Sequence, residues 1–221
     1  YEVPLLLEEA GVGDYLVERL VLTASAKPDW APWQRLVEEV HRPKPVVKIA
    51  LVGKYVELKD AYMSVREAIN HAALSLGLEA EILWVLSSDL EKGKGWEPVR
   101  SVDGIIVPGG FGSRGIEGKI QAAKYARENK IPYLGLCLGM QVMCVEFARD
   151  VLGYEDSNST EFDRSTAHPV LDLMLERRAI TDMGGTMRLG LYPCVLQPGT
   201  KAATAYGEKQ VEERHRHRWE F

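Results

Sequence analysis

The 221-residue chain is 46% hydrophobic and 27% charged, as is typical of a soluble globular protein of one or two domains. Its net charge of -5 argues against a nucleic-acid-binding surface, and no apolar run reaches the about 18 residues that suggest a membrane span. The three cysteines (Cys137, Cys144 and Cys194) form no CxxC pair, which predicts a cytoplasmic protein rather than a disulfide scaffold.

The first 43 residues have leucines spaced for helices with a buried face, interrupted at residues 28–33. Two prolines in residues 41–45 predict a linker. These helices are too few to bury their own apolar face. We therefore interpret residues 1–45 as the end of a preceding domain with its linker, and residues 46–221 as a second domain. The absence of an initial Met and an end in mid-pattern suggest a piece of a longer protein.

After Pro45, short apolar strands alternate with helices. Strands are predicted at 46–52, 80–86, 103–107 and before Cys137, helices at 61–76, 117–130 and 138–152, a polar connection at 87–100, and loops with short strands beyond 152. This alternation predicts an α/β fold, with a mostly parallel sheet covered by helices on both faces.

The segment Gly135–Gly139 has the form of a nucleophile elbow with Cys137 in place of serine. A nucleophile at a sharp strand-to-helix turn has a strained backbone, and its neighbours two positions away must be small. The helix N-terminus favours the thiolate. The alternative is a buried cysteine in a glycine-rich turn.

A glycine-rich turn, Gly109–Gly115, follows the third strand. Its GxGxxG spacing suggests a dinucleotide site, but the next strand ends at Cys137 rather than at the acidic residue such a site needs. The phosphate-loop pattern also fails. The N–H groups of Gly110 and Leu138 could instead form an oxyanion hole. A tight turn without a ligand is the alternative.

Two later segments carry polar residues. In the loop 157–163, Glu161 could hold a substrate ammonium, although a solvated loop is the simpler interpretation. Residues 213–220 alternate as in a strand, and His215 and His217 suggest a metal. No further ligand completes a site and arginines surround the pair, so we predict no metal and no cofactor in this domain.

Taken together, the motifs resemble those of CTP synthases, in the same order and over nearly the whole chain. The motifs are Leu51–Val56, Pro108–Gly112, Gly135–Gln141, Asn158–Phe162, Gly184–Gly190 and Glu213–Arg218. The resemblance implies a class I glutamine amidotransferase (flavodoxin-like) fold in residues 46–221, after the end of the synthetase domain.

The resemblance also implies the chemistry. Cys137 would attack the amide of L-glutamine, and the ammonia would pass to the synthetase domain, where ATP and Mg²⁺ activate UTP to give CTP. Gly110 and Leu138 would stabilise the oxyanion. Gly139, Met140, Gln141, Glu161 and Arg218 fall at substrate-binding positions. The intact enzyme would be a cytoplasmic homotetramer that binds neither nucleic acid nor membrane.

One departure from the family concerns the general base, which these enzymes carry as His-x-Glu. No His-x-Glu occurs in this sequence, so we expect the base in residues outside it and an incomplete C-terminus. Two alternatives remain open: a γ-glutamyl or peptide hydrolase on the same fold, and a non-catalytic binding module.

Overall fold

The computed structural model describes residues 1–23, 26–173 and 187–221. The chain divides into two compact units. One unit contains residues 1–47 and 66–81, and the other contains residues 48–65 and 82–221. The first three residues of the predicted Gly184–Gly190 motif lie outside the described residues, which resume at Met187.

The first unit is mainly helical. It contains α1 (Val3–Glu9), α2 (Val12–Arg19), α3 (Ala31–His41) and most of α4 (Met63–Ser75). Helix α3 begins inside the predicted interruption, because Pro32 fits the first turn of a helix, where no N–H is needed. None of α1, α2 and α3 contains a buried residue. Their assignment to a preceding domain stays a prediction.

The second unit is organised around a four-stranded sheet. Its strands are β1 (Val46–Gly53), β2 (Glu79–Leu86), β3 (Gly104–Val107) and β4 (Tyr133–Gly135), in the order β2-β1-β3-β4. Strand β3 runs parallel to both β1 and β4. Residues 50–52 of β1 are fully buried, which explains the continuous apolar run. The predicted mostly parallel sheet is confirmed.

Four helices follow strands β2, β3 and β4 along the chain. Helices α5 (Ser87–Leu90) and α6 (Trp96–Arg100) follow β2, α7 (Ile116–Glu128) follows β3, and α8 (Leu138–Asp150) follows β4. Helices α7 and α8 pack on each other and on β3 and β4. The prediction of a mere polar connection at residues 87–100 is wrong. Leu90 and Val99 have no exposed surface and anchor α5 and α6 in the core.

The last part of the chain forms two small sheets. Strands β5 (Asn158–Ser159), β6 (Pro169–Leu173) and β9 (Trp219–Glu220) form one, and β7 (Arg188–Val195) and β8 (Gln210–His217) form an antiparallel pair. Helix α9 (Lys201–Tyr206) connects β7 to β8. The predicted alternation along residues 213–217 is confirmed, because histidines are partly buried and arginines exposed. Across the described ranges, no helix is long and apolar enough to cross a membrane.

Candidate active site

Cys137 stands at the turn between β4 and α8 with φ 53° and ψ −107°, a conformation that side-chain-bearing residues rarely adopt. The turn has no room for side chains beside it. A Cβ on Gly135 would lie 2.3 Å from the carbonyl carbon of Gly139, and a Cβ on Gly139 would lie 1.9 Å from the oxygen of Val107. Both glycines are therefore required by close backbone approach.

The sulfur of Cys137 is half-buried, with its Sγ 3.7 Å from the carbonyl oxygen of Arg216 on β8. Burial raises the pKa of the Cys137 thiol. The backbone N–H of Leu138 and the ammonium of Lys119 act in the opposite direction and lower this pKa. The helix N-terminus favours the thiolate as predicted, but desolvation outweighs it in the free protein.

The glycine-rich loop passes directly beside the nucleophile. A Cβ on Gly109 would lie 3.3 Å from the Cβ of Cys137, and a Cβ on Gly110 would lie 3.7 Å from Cδ2 of Leu138. The ammonium of Lys54 donates a hydrogen bond to the carbonyl oxygen of Phe111. The structure thus brings Gly110, Leu138 and Cys137 together, as an oxyanion hole requires.

Glu161 is also brought to this loop. Its Oε1 accepts a hydrogen bond from the N–H of Gly112 at 2.9 Å. Burial raises the pKa of the Glu161 carboxyl, while the Gly112 N–H and the cations of Arg218, Lys54 and Lys119 lower it. The Glu161 side chain therefore contacts the glycine-rich loop beside Cys137 and is not simply part of a solvated loop.

Gln141 connects α8 to the end of the chain. Its side chain is 5% exposed, and its Nε2 donates to the carbonyl oxygen of Trp219 at 2.8 Å. This bond places the backbone next to Arg218 beside α8, and the Arg218 guanidinium lies 5.3 Å from the centroid of the Trp219 ring. Gln141 is thus bonded to the residue that follows Arg218.

Met140 and Cys144 lie one turn apart on α8 and are both partly exposed. Met140 is 38% exposed, and its sulfur lies 3.5 Å from the Sγ of Cys144. The Cys144 thiol is only partly covered. Burial raises the pKa of the Cys144 thiol.

No histidine of the chain is in hydrogen-bond contact with Cys137, and all five lie in the described ranges. His215 Nδ1 and His217 Nε2 are 2.6 Å apart, and His217 Nδ1 lies 3.3 Å from the Oε1 of Glu220. Burial and Arg188 lower the pKa of His215. The other three, His41, His71 and His168, contact Glu2, Tyr1 and Asp156. Among the described residues, no three His, Cys, Asp or Glu side chains cluster as metal ligands.

Two lysines near the site were missed from the sequence. Neither Lys54 nor Lys119 is among the site residues predicted from the sequence. Lys119 has no exposed surface. The signal was available, because helical periodicity places Lys119 on the same face as Ile116, Ile120 and Ala123. A lysine on a buried helical face is unusual enough to indicate a role.

Comparison with known proteins agrees with this geometry. The model of the glutamine amidotransferase class-I family matches residues 57–221. CTP synthases of Dehalococcoides mccartyi and Chloroflexus aggregans are 61% and 60% identical over 221 residues, which is 100% of this chain. The chain spans 40% of the length of these relatives.

A solved structure gives the same result. The glutaminase domain of Trypanosoma brucei CTPS, with bound acivicin, superposes with a TM-score of 0.71 at 38% identity. The match covers 79% of this chain and 67% of the other. It confirms the predicted fold class, a mostly parallel sheet with helices. The chain therefore belongs to the class-I glutamine amidotransferase family and, within it, to the CTP synthases.

Proposed function

We propose that this chain hydrolyses the side-chain amide of L-glutamine at Cys137 and supplies the ammonia to a synthetase domain. The observation that carries the proposal is the strained turn at Cys137, flanked by two glycines with no room for a side chain. A backbone held in this way exposes a nucleophile at the start of a helix, beside a glycine loop that can receive an oxyanion.

The reaction follows from these groups. The Cys137 thiolate attacks the amide carbon, and the N–H groups of Gly110 and Leu138 receive the charge on the oxygen. Collapse breaks the C–N bond, and the nitrogen leaves as ammonia once it is protonated. Water then hydrolyses the γ-glutamyl thioester to glutamate and restores the thiol. Losing one oxyanion donor typically lowers the rate about 100- to 1000-fold.

Substrate selection is assigned to the groups around the nucleophile. The Glu161 carboxylate binds the ammonium of glutamine, and the Arg218 guanidinium binds its carboxylate. Gly139, Met140 and Gln141, at the start of α8, complete the binding site. Pairing each substrate charge excludes amides that lack one of them, because a buried charge without a partner is expensive.

The remaining assignments concern the whole protein. In it, a synthetase domain uses ATP and Mg²⁺ to activate UTP and adds the ammonia to give CTP, a step of pyrimidine biosynthesis. Residues 1–45 are the end of that domain and the linker, and residues 46–221 are the amidotransferase domain. The assembly is a cytoplasmic homotetramer, with no nucleic-acid or membrane partner.

The test is labelling and replacement of Cys137. Acivicin, which the T. brucei domain binds, should modify Cys137 in preference to Cys144 and Cys194, as mapped by mass spectrometry. In the complete synthase, Cys137→Ala should abolish glutamine-dependent CTP formation and leave ammonia-dependent formation intact. Cys144→Ala is the matched control and should change neither activity.

Other outcomes would separate the alternatives. Chief labelling at Cys144 or Cys194 would contradict the assignment of the nucleophile. Hydrolysis of γ-glutamyl peptides in preference to free glutamine would indicate the hydrolase. Tight glutamine binding without turnover in the complete protein would indicate a binding module. The comparisons favour neither of these, since the relatives are CTP synthases.

A further inference from the structure

Lys119 lies in the first turns of α7 and has no exposed surface. In the ranges that the structure describes, its buried Nζ has no hydrogen-bond partner. Lysine is among the residues least often buried, and a charge removed from water without a partner is expensive. An apolar side chain would fill this buried position without the cost of a buried charge. The presence of an ammonium here therefore suggests that its charge has a function.

The position of this ammonium relates it to the nucleophile. A Cβ on Gly110 would lie 3.9 Å from the Nζ of Lys119 and 3.7 Å from Cδ2 of Leu138. The preceding residue, Gly109, passes beside the side chain of Cys137. Lys119 therefore places a positive charge against the loop that is proposed to receive the oxyanion.

Charged groups face Lys119 from several elements. They are Lys54 from the loop after β1, Cys137 from the turn before α8, and Glu161 from the loop after β5. Arg218, after β8, faces Glu161 in turn. Lys119 therefore belongs to one cluster of three cations with a carboxylate and a thiol.

The acidic groups at the start of α7 are occupied elsewhere. Just after α5, the Oε1 of Glu91 accepts hydrogen bonds from the backbone N–H groups of Glu117 and Gly118 at 3.1 and 3.5 Å. The Glu117 carboxylate is paired with Arg149 of α8 at 2.9 Å. These carboxylates have their own partners, and Glu161 and Cys137 are the groups whose negative charge acts on Lys119.

The surrounding groups shift the pKa values of both Lys119 and Cys137. Burial and the like charge of Lys54 lower the pKa of Lys119 to about 8, against the opposing effect of Cys137 and Glu161. Lys119 is therefore mainly charged below pH 8 and loses its charge above it. Reciprocally, Lys119 lowers the pKa of the Cys137 thiol, which burial raises.

We propose that Lys119 is a positioning residue for the chemistry of Cys137. Its buried ammonium favours the thiolate over the thiol and stabilises negative charge on the neighbouring Gly110 loop. The first effect rests on the geometry of the free protein. The second rests on the proposed glutaminase reaction. Lys119 does not touch the substrate, and it acts through its charge.

The first experiment measures the thiolate directly. Lys119→Met removes the charge with little change of shape, and Lys124→Met on the same helix is the matched control, since Lys124 pairs with Asp150 at the surface. The rate of Cys137 alkylation by uncharged iodoacetamide is followed against pH, with the Cys137 peptide quantified by mass spectrometry. At pH 7, where Lys119 carries its charge, we expect Lys119→Met to lower the alkylation rate of Cys137 about tenfold and Lys124→Met to leave it unchanged.

An unchanged alkylation rate at pH 7 in folded Lys119→Met would overturn the proposal. Where that variant does not fold, Lys119→Gln replaces it, because it keeps a polar end without the charge. Lys119→Gln should show the same loss of alkylation rate at pH 7. An unchanged rate in folded Lys119→Gln would equally overturn the proposal.

The kinetic readout separates this inference from the proposed function. In the complete synthase, Lys119→Met should lower kcat for glutamine about tenfold, matching a tenfold lower thiolate fraction, with KM and ammonia-dependent CTP formation little changed. Wild-type protein that does not hydrolyse glutamine would contradict the proposed function, whatever the alkylation profile. Full glutamine turnover by Lys119→Met with an unchanged alkylation rate at pH 7 would contradict only the role of Lys119.

Discussion

At the scale of single residues, one backbone conformation at Cys137 determines what its neighbours can be. Its positive φ turns the chain sharply from β4 into α8. Gly135 therefore lies against the backbone of Gly139, and Gly139 lies against the backbone of Val107 on β3. The glycines therefore have a steric role that can be tested separately from the chemistry.

Replacing Gly139 tests this steric role. The new Cβ would lie 1.9 Å from the oxygen of Val107, so we expect Gly139→Ala to reduce the free energy of unfolding by about 2–3 kcal/mol, as overpacking does. Urea denaturation measures it. Gly13→Ala in α2 is the control, because its only near neighbour is the flexible Glu8 side chain at 3.5 Å. Equal stability of the two variants would contradict the interpretation.

Glu161 combines two roles that a conservative change can separate. Glu161→Gln keeps an oxygen to accept the N–H of Gly112 but removes the charge needed for a substrate ammonium. We expect kcat/KM for glutamine to fall about 10- to 100-fold, the usual cost of a hydrogen bond to a charged group, with ammonia use spared. Steady-state kinetics of the complete synthase measures it. Glu155→Gln, at an exposed position, is the control and should leave glutamine kinetics unchanged. Unchanged glutamine kinetics in Glu161→Gln would indicate that Glu161 has only a structural role.

At this scale the sequence predicts the turn at Cys137, because glycines two positions to either side of a residue form a recognisable local pattern. It does not identify Lys119 or Lys54. Periodicity shows that Lys119 lies on a buried face, but which groups that face meets depends on how α7 packs. The partial exposure of Cys144 cannot be predicted from the sequence for the same reason, because it depends on what lies beside α8.

At the scale of elements, the site depends on how α7 and α8 pack together. Helix α7 carries Lys119 and α8 begins at Cys137, so their alignment sets the relation between ammonium and sulfur. An ion pair joins the two helices: Arg127 Nη2 lies 2.7 Å from the Oε1 of Glu146, whose side chain is 1% exposed. A carboxylate buried to this degree depends on its partner.

Removing one member of this pair should be worse than removing both. Arg127→Met should lower the free energy of unfolding, because it leaves the buried Glu146 carboxylate without its partner. The double variant Arg127→Met/Glu146→Leu should recover most of this loss. Chemical denaturation of both variants measures the difference.

The control is an ion pair of the same kind at the surface. Arg100→Met removes the contact between Arg100 and Glu97 at 3.9 Å, where both side chains are largely exposed, and should change stability by less than about 1 kcal/mol. A double variant less stable than Arg127→Met alone would contradict the view that the buried carboxylate needs its partner.

Sequence reasoning locates the main elements but not all their ends or the smaller ones. Strand β1 and helices α7 and α8 are recoverable because long apolar or periodic runs define them. The short helices α5 and α6 are not, since five residues or fewer carry too little periodicity. Their anchors, Leu90 and Val99, become evident only from the core that they join.

At the scale of the whole molecule, the supply of protons limits what this chain can do alone. Loss of ammonia and hydrolysis of the thioester both need a general acid or base near the sulfur, worth about 100- to 10,000-fold. The hydrogen-bond contact recorded for the Cys137 sulfur is to the carbonyl oxygen of Arg216, not to an imidazole. His215 and His217 contact each other.

We therefore expect the 221-residue chain, produced by itself, to release no ammonia from glutamine in the steady state. Cys137 should still react with acivicin, which shows that the nucleophile is folded and accessible. Ammonia release is followed by a coupled assay, with the complete synthase as the active control. Steady turnover by the chain alone, lost in His215→Ala or His217→Ala, would overturn this expectation.

The turn at Cys137 also bears on protein design. The pentapeptide Gly135–Gly139 looks like a portable module, yet the space that it requires is contributed by other parts of the sheet. The oxygen of Val107, on the adjacent strand, occupies the position where a side chain at Gly139 would stand. Grafting these five residues onto another sheet would transfer the sequence of the motif without the adjacent strand against which Gly139 packs. A design that uses this nucleophile therefore needs the adjacent strand as well as the five residues.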